Sequence, residues 1–206
     1  MPRLRFALVP VLAVLFTMPA AADDVSMDAS QAESGAYRLE TSHTQILFSI
    51  RHMGLTEYYG RFDKMSGTLN YNAGQPEHSA VSITIDTGSV DTPSARLNDT
   101  LKGADVFNTE KFPQATFKST GMTRTNASHG TITGDLTIRG VTKPVTLNVT
   151  FTGTENDPLD DSRVLGFHAE TTIKRSDFGI TGMVWEPLVG NDIHIIIEAM
   201  FQRESE

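Results

Sequence analysis

The chain has 206 residues, 17 of them basic and 25 acidic, for a formal charge of −8. That acidity works against electrostatic binding to DNA, RNA or anionic membranes. There is no cysteine, which excludes a disulfide framework, thiolate chemistry and cysteine-ligated metals; the length suits one domain held by its apolar core.

Residues 1–22 read as a cleavable export signal. Arg3 and Arg5 make a basic start, Phe6 to Met18 an apolar run, and Ala20-Ala21-Ala22 an A-x-A cleavage site. The run is shorter than the ~20 apolar residues a membrane-spanning helix needs, so no stable membrane insertion is expected. Residues 23–35, DDVSMDASQAESG, are acidic, small and unpatterned, and read as a flexible leader. The domain proper is expected over 36–206.

From Tyr37 onward the pattern has period 2, which places alternate side chains on opposite faces of a strand. Ile46, Phe48 and Ile50 begin it, and His52 continues their parity toward the strand end. Phe62, Leu69 and Tyr71 follow, with Gly60 and Gly67 suited to bends. Val81, Ile83 and Ile85 mark the next strand. Residues 93–107 break the alternation: Ser94 can cap a short helix, Leu97 and Leu101 share a face, and Gly103 can end it.

Phe117 anchors a strand over 114–120. Residues 130–152 form a hairpin in which Ile132, Leu136 and Ile138 answer Val145, Leu147, Val149 and Phe151 across the break 139–144, read as a loop of roughly three to five residues. Leu165 to Ile173, including Phe167, and Ile193 to Phe201, including Ile195 and Ile197, complete the set. An apolar loop with Phe178, Ile180, Met183 and Trp185 lies between those last two strands. About eight strands with short connections and one helix indicate an all-β antiparallel barrel, closed so that no edge is exposed. A two-sheet sandwich satisfies the alternation as well.

Signals for catalysis are absent from the pattern. No G-x-S-x-G elbow, H-E-x-x-H helix, P-loop or G-x-G-x-x-G occurs. The six histidines are scattered, so neither a metal nor another cofactor is expected, and the protein is not read as an enzyme. No charge falls on the inward faces of the strands. Arg51, Arg61, Lys174 and Arg175 could meet an anionic or carbonyl head group, although a solvated charge is the default reading for each.

Several segments resemble the YceI-like family of exported bacterial proteins. They are Leu39-Glu40-Thr41-Ser42-His43-Thr44, Phe48-Ser49-Ile50-Arg51-His52-Met53-Gly54, Gly60-Arg61-Phe62, Ser66-Gly67, Lys111-Phe112-Pro113-Gln114-Ala115-Thr116-Phe117, the hairpin, and Arg175-Ser176-Asp177-Phe178-Gly179. They occur in order from about Tyr37 to Phe201. The resemblance implies an eight-stranded, lipocalin-like barrel in the periplasm whose pore binds a polyisoprenoid or another long apolar, amide- or quinone-like molecule. Many members carry an Arg-Asp-x-His-Leu run where this chain has Leu97-Asn98-Asp99-Thr100-Leu101, so no head-group role is carried onto those positions.

The ligand-binding candidates are then Ile46, Phe48, Ile50, His52, Phe62, Ile83, Phe117, Leu136, Ile138, Leu147, Phe167, Trp185 and Ile195. His52 would sit at a polar mouth, with Trp185, Met183 and Phe178 as a lid or as packing of the barrel end. The expected partner is a long-chain isoprenoid or other lipid, with a homodimer also compatible. Two readings stay open beside this carrier: an envelope stress or interaction protein whose barrel is filled by its own side chains, and a weakly catalytic barrel acting on an isoprenoid-linked substrate.

Overall fold

The computed structural model describes residues 25–182 and 186–204; the expected export signal lies outside them. The chain folds as a closed antiparallel barrel of eight staves, two of them broken in the middle. The first stave, β1 (Gly35–His52), pairs with both halves of the second, β2 (Thr56–Phe62) and β3 (Met65–Tyr71). β4 (Ala80–Asp86) and the two-residue β5 (Val90–Asp91) form the third stave against β3 and β2. β6 (Gln114–Arg124), β7 (His129–Ile138), β8 (Val141–Asn156), β9 (Arg163–Lys174) and β10 (Val189–Arg203) follow as neighbours. β10 then hydrogen-bonds to β1 along most of its length, which closes the wall into a barrel. The sandwich alternative is thereby excluded.

The β7–β8 hairpin corrects one expectation. The connection is two residues, not three to five: Ile138 pairs directly with Val141. Arg139 and Gly140 both take positive φ, 53° and 74°, the conformation whose twist matches that of the flanking strands. The proline that suggested a longer loop, Pro144, sits inside β8 opposite Asp135. Pairing of β8 with β9 begins only at Asn148, so the missing N–H interrupts neither ladder.

Two bulges decide which residues face inward. Between Glu40 and Gln45, four residues of β1 stand against the single Ala199 of β10, which shifts the strand parity. Tyr37 and Leu39 therefore point inward at odd positions, and Ile46, Phe48 and Ile50 at even ones. The carboxylate of Glu40 holds this excursion, accepting from the backbone N–H groups of Ser42 at 2.8 Å and His43 at 2.9 Å. Thr44 donates to the Glu40 carbonyl at 2.6 Å and accepts from the Met200 N–H at 3.1 Å. A second shift between Ser119 and Gly121 does the same to β6, so Phe117 and Met122 both face the interior.

The two barrel ends are built differently. At one end Tyr37, Leu39, Leu69, Tyr71, Phe151, Leu165 and Phe201 form a buried core, with Phe167 packed edge-on against Phe151 and Phe201 at centroid distances of 5.4 and 6.0 Å. Residues 25–34, which composition assigned to a flexible leader, lie across this end. Ala29 and Ala32 are buried there, the Tyr71 hydroxyl donates to the Ala29 carbonyl at 2.7 Å, and the Tyr37 hydroxyl to Glu33 at 2.8 Å. The two buried alanines seat the segment together with backbone bonds from Ala29 to Ala127 and between Ser26 and Thr154.

At the other end, α1 (Ala95–Lys102) and the segments 175–182 and 186–188 arch over the opening. Ser94 caps α1 by accepting from the Leu97 N–H at 3.3 Å, and Gly103 closes it with φ −65°, without a left-handed residue.

Candidate functional site

The wall does not fill itself. Inside the barrel is a cavity of about 710 Å³, within the ~300–1,000 Å³ typical of small-molecule sites. This removes the filled-barrel premise. Sheet register stacks its lining in layers: Ile46 faces Ile197 and then Ala169, Phe48 faces Ile195 and then Thr171, and Ile50 faces Ile193 and then Ile173. Across the cavity Ile83, Phe117 and Leu136 lie side by side on β4, β6 and β7. Glycines let bulky groups lie flat on the wall. A Cβ on Gly60 would collide with the ring of Phe48, and one on Gly67 with the Ile83 side chain.

Twelve of the thirteen sequence candidates stand on this wall. Ile46, Phe48, Ile50 and His52 come from β1, Phe62 from β2, Ile83 from β4 and Phe117 from β6; Leu136 and Ile138 come from β7, Leu147 from β8, Phe167 from β9 and Ile195 from β10. They are not equivalent. Phe167 belongs to the aromatic floor, whereas His52, opposite Thr56 and Val189, belongs to the opposite end. Trp185 and Met183 lie outside the described residues.

The polar groups of the lining are mostly tied to protein. Thr92 donates to Asn98 at 2.7 Å, Thr171 to the Thr146 carbonyl at 2.8 Å, and Thr44 and Tyr71 to the carbonyls named above. With those hydroxyls engaged, the wall presents hydrocarbon to an occupant.

Four charged side chains had been candidates for a head group. Arg51 pairs with Glu57 at 2.9 Å, Arg61 with Asp63 at 2.8 Å, and Lys174 with Asp192 at 2.7 Å, all on the outside of the barrel. Arg175 is different, and corrects its reading as a solvated charge; it stands on the turn just after β9, and the strand residues that line the cavity carry no charge. It borders the cavity with its side chain 8% exposed. Its Nε donates to the Gly190 carbonyl at 3.0 Å, and Nη1 donates to the Ile180 carbonyl at 2.7 Å and to Glu186 at 2.9 Å. That bond from Arg175, with a second from the Gly182 N–H, holds the Glu186 carboxyl below the usual carboxylate range. The guanidinium therefore ties Ile180, Glu186 and Gly190 together over the barrel end.

Sequence reasoning missed most of this roof. Leu97, Leu101, Val106 and Phe107 line the cavity from α1 and the loop after it, and Phe107 meets Phe62 edge-on at 5.5 Å. The shared face of Leu97 and Leu101 was visible, but not what it covered. Phe178, 2% exposed, packs with Phe117 and Leu136 as part of the same roof. The opening lies beside it: Thr56 and Leu188 both line the cavity and are exposed to solvent.

Residues 37–201 match the YceI-like domain over nearly the whole described barrel. The chain belongs to the YceI-like family. Protein YceI of Escherichia coli O157:H7 is 38% identical over 177 residues, covering 85% of this chain and 92% of that protein. Among solved structures, Burkholderia cenocepacia BcnA superposes with a TM-score of 0.72 at 24% identity, over 79% of this chain and 98% of that one. A polyisoprenoid binding domain from Saccharophagus degradans, implicated in plant cell wall breakdown, superposes with a TM-score of 0.60 at 16% identity, over 84% of this chain and all of that one.

In this YceI-like domain the segments that carried the resemblance do structural work at three places. Leu39–Thr44 forms the parity-changing bulge, 175–179 fastens the roof, and at 97–101, where the chain departs from the family's run, Leu97 and Leu101 face the cavity while Asn98 ties α1 to Thr92 and Asp91. Among the described residues no group of three or more His, Asp or Glu side chains is placed to hold a metal ion.

Proposed function

We propose that the domain binds one long apolar lipid, an isoprenoid or quinone-like chain, inside the barrel and carries it through the periplasm without covalent chemistry. The observation that carries this reading is an apolar cavity of about 710 Å³ in whose wall the hydroxyls of Thr44, Tyr71, Thr92 and Thr171 are already engaged by protein. Burial of each CH₂ contributes about 0.8 kcal/mol, so the ~8 kcal/mol net of a micromolar complex takes some ten buried carbons before any ordering cost, and at least about fifteen once the ~4 kcal/mol or more lost on association is added. A head group would stay at the open end, near His52. The resemblance in fold to a polyisoprenoid binding domain supports the ligand class, and the family supports the compartment.

The test is a chain-length series of isoprenols added to delipidated protein and followed by displacement of a fluorescent apolar probe. Affinity should climb with each added isoprene unit and then level off once the cavity is full. Flat affinity across the series, or no saturable displacement, rules out a tail-binding pore. Export is checked separately: the protein recovered from its host should begin at Asp23 and fractionate with the periplasm.

A further inference from the structure

The molecule distributes its charge unevenly along the barrel axis. The segments around the open end, 51–64, 86–111, 139–143 and 174–192, hold ten basic and ten acidic residues. The remaining described residues hold five basic and twelve acidic. The open end is thus neutral, and the excess acidity sits toward the closed end and its loops.

Exposed apolar side chains flank the neutral opening. Met53 is 59% exposed and Leu55 76%, both on the turn between β1 and β2, and Leu188 is 46% exposed across from them. The turn is tight: the Leu55 N–H donates to the His52 carbonyl at 3.0 Å, and the Met53 N–H to the Leu188 carbonyl at 2.7 Å. Met53 and Gly54 both take positive φ, 53° and 70°. Met53 therefore occupies a left-handed position that glycine or asparagine adopts at lower cost, and its side chain projects into solvent. The opposite end also exposes apolar groups, Leu159 most of all, but that residue is surrounded by Asp157, Asp160 and Asp161.

From these observations we infer that the open end docks on the surface of a lipid bilayer, with Met53, Leu55 and Leu188 entering the head-group region around the cavity mouth. The occupant is fixed by two features. The patch is continuous with an apolar cavity, since Leu188 belongs to both, so a ligand passing there need not cross water. The excess negative charge also lies at the far end of the barrel, so the face that meets the bilayer brings no net charge out of water. This inference rests on the lipid-carrier reading, yet it makes a separate claim about which surface meets the membrane.

The experiment uses the full mature chain with phosphatidylcholine vesicles, measuring co-sedimentation and the rate at which the protein takes up a fluorescent isoprenol embedded in them. Met53→Ser/Leu55→Ser should lower vesicle partition and uptake rate by roughly tenfold. Its affinity for the same isoprenol presented without vesicles, and its unfolding temperature, should match the parent. Leu159→Ser should behave as the parent throughout. Failure of the parent to partition, or equal losses in the Leu159→Ser variant, overturns docking through the open end. If the isoprenol does not bind even without vesicles, the carrier reading fails, and partition of the parent against the double variant still decides the docking face.

Discussion

The closed and open ends of the barrel use one alternating wall for opposite purposes. At the closed end Tyr37 and Leu165 are fully buried, and Phe151, Phe167 and Phe201 meet edge to edge with the leader residues Ala29 and Ala32 beneath them. At the open end Phe48, Ile50 and Ile138 come from the same strand pattern but face a void, roofed by α1 and the Arg175-held segment. An inward apolar residue is core when other side chains fill the space in front of it, and lining when they leave that space empty. Stability should concentrate at the floor, and binding above it.

That contrast can be broken from either end. The largest effect on folding should come from Leu165→Ala, which removes a fully buried side chain from the floor and should cost about 2–5 kcal/mol in chemical denaturation. Its isoprenol affinity, measured on folded protein, should change little. Phe48→Trp and Leu136→Trp reverse the pattern: each adds volume where there is space, so isoprenol affinity should fall at least about tenfold while stability changes by less than the ~1–3 kcal/mol that overpacking costs in a filled core. Normal binding by both would show that the wall above the floor is not the site.

Arg175→Met should be intermediate. It leaves the Ile180 and Gly190 carbonyls without their donor, a loss of about 1–3 kcal/mol, and should loosen the roof, seen as faster amide exchange over 175–182 and 186–190.

The smallest effect is a pH dependence at the β1 bulge. Burial opposes ionisation of Glu40, but hydrogen bonds from Ser42 and His43 outweigh it and bring its pKa down from 4.5 to about 2. Because the folded value is depressed, the contribution is complete above pH 4.5 and is lost as pH falls toward about 2. Glu40→Gln should therefore flatten the stability–pH curve in that window and lower stability near neutrality, where the contribution of the carboxylate is complete.

The barrel was legible in the sequence because alternation reports a two-faced strand directly, and eight such stretches leave few ways to pair. The hairpin at 129–156 shows where that ends. Pro144 marked a loop in the sequence, whereas the turn is made by Arg139 and Gly140, since an arginine gives no local sign that it will accept positive φ. The lining on β1 to β10 was readable for the same reason as the strands. The roof was not: α1 advertised an apolar face through Leu97 and Leu101, but what a short helix covers depends on chain distant in sequence. Nor could the sequence show that Arg175 turns inward, because two of its three partners are backbone carbonyls, which no residue pattern encodes.

The central claim is that the cavity holds a lipid, and native mass spectrometry of protein purified from its own host tests it most directly. The account predicts a stoichiometric adduct that organic extraction releases as a long apolar chain, and that Leu136→Trp diminishes. A bare polypeptide mass in repeated preparations, together with no uptake of long-chain isoprenols by refolded protein, would contradict it.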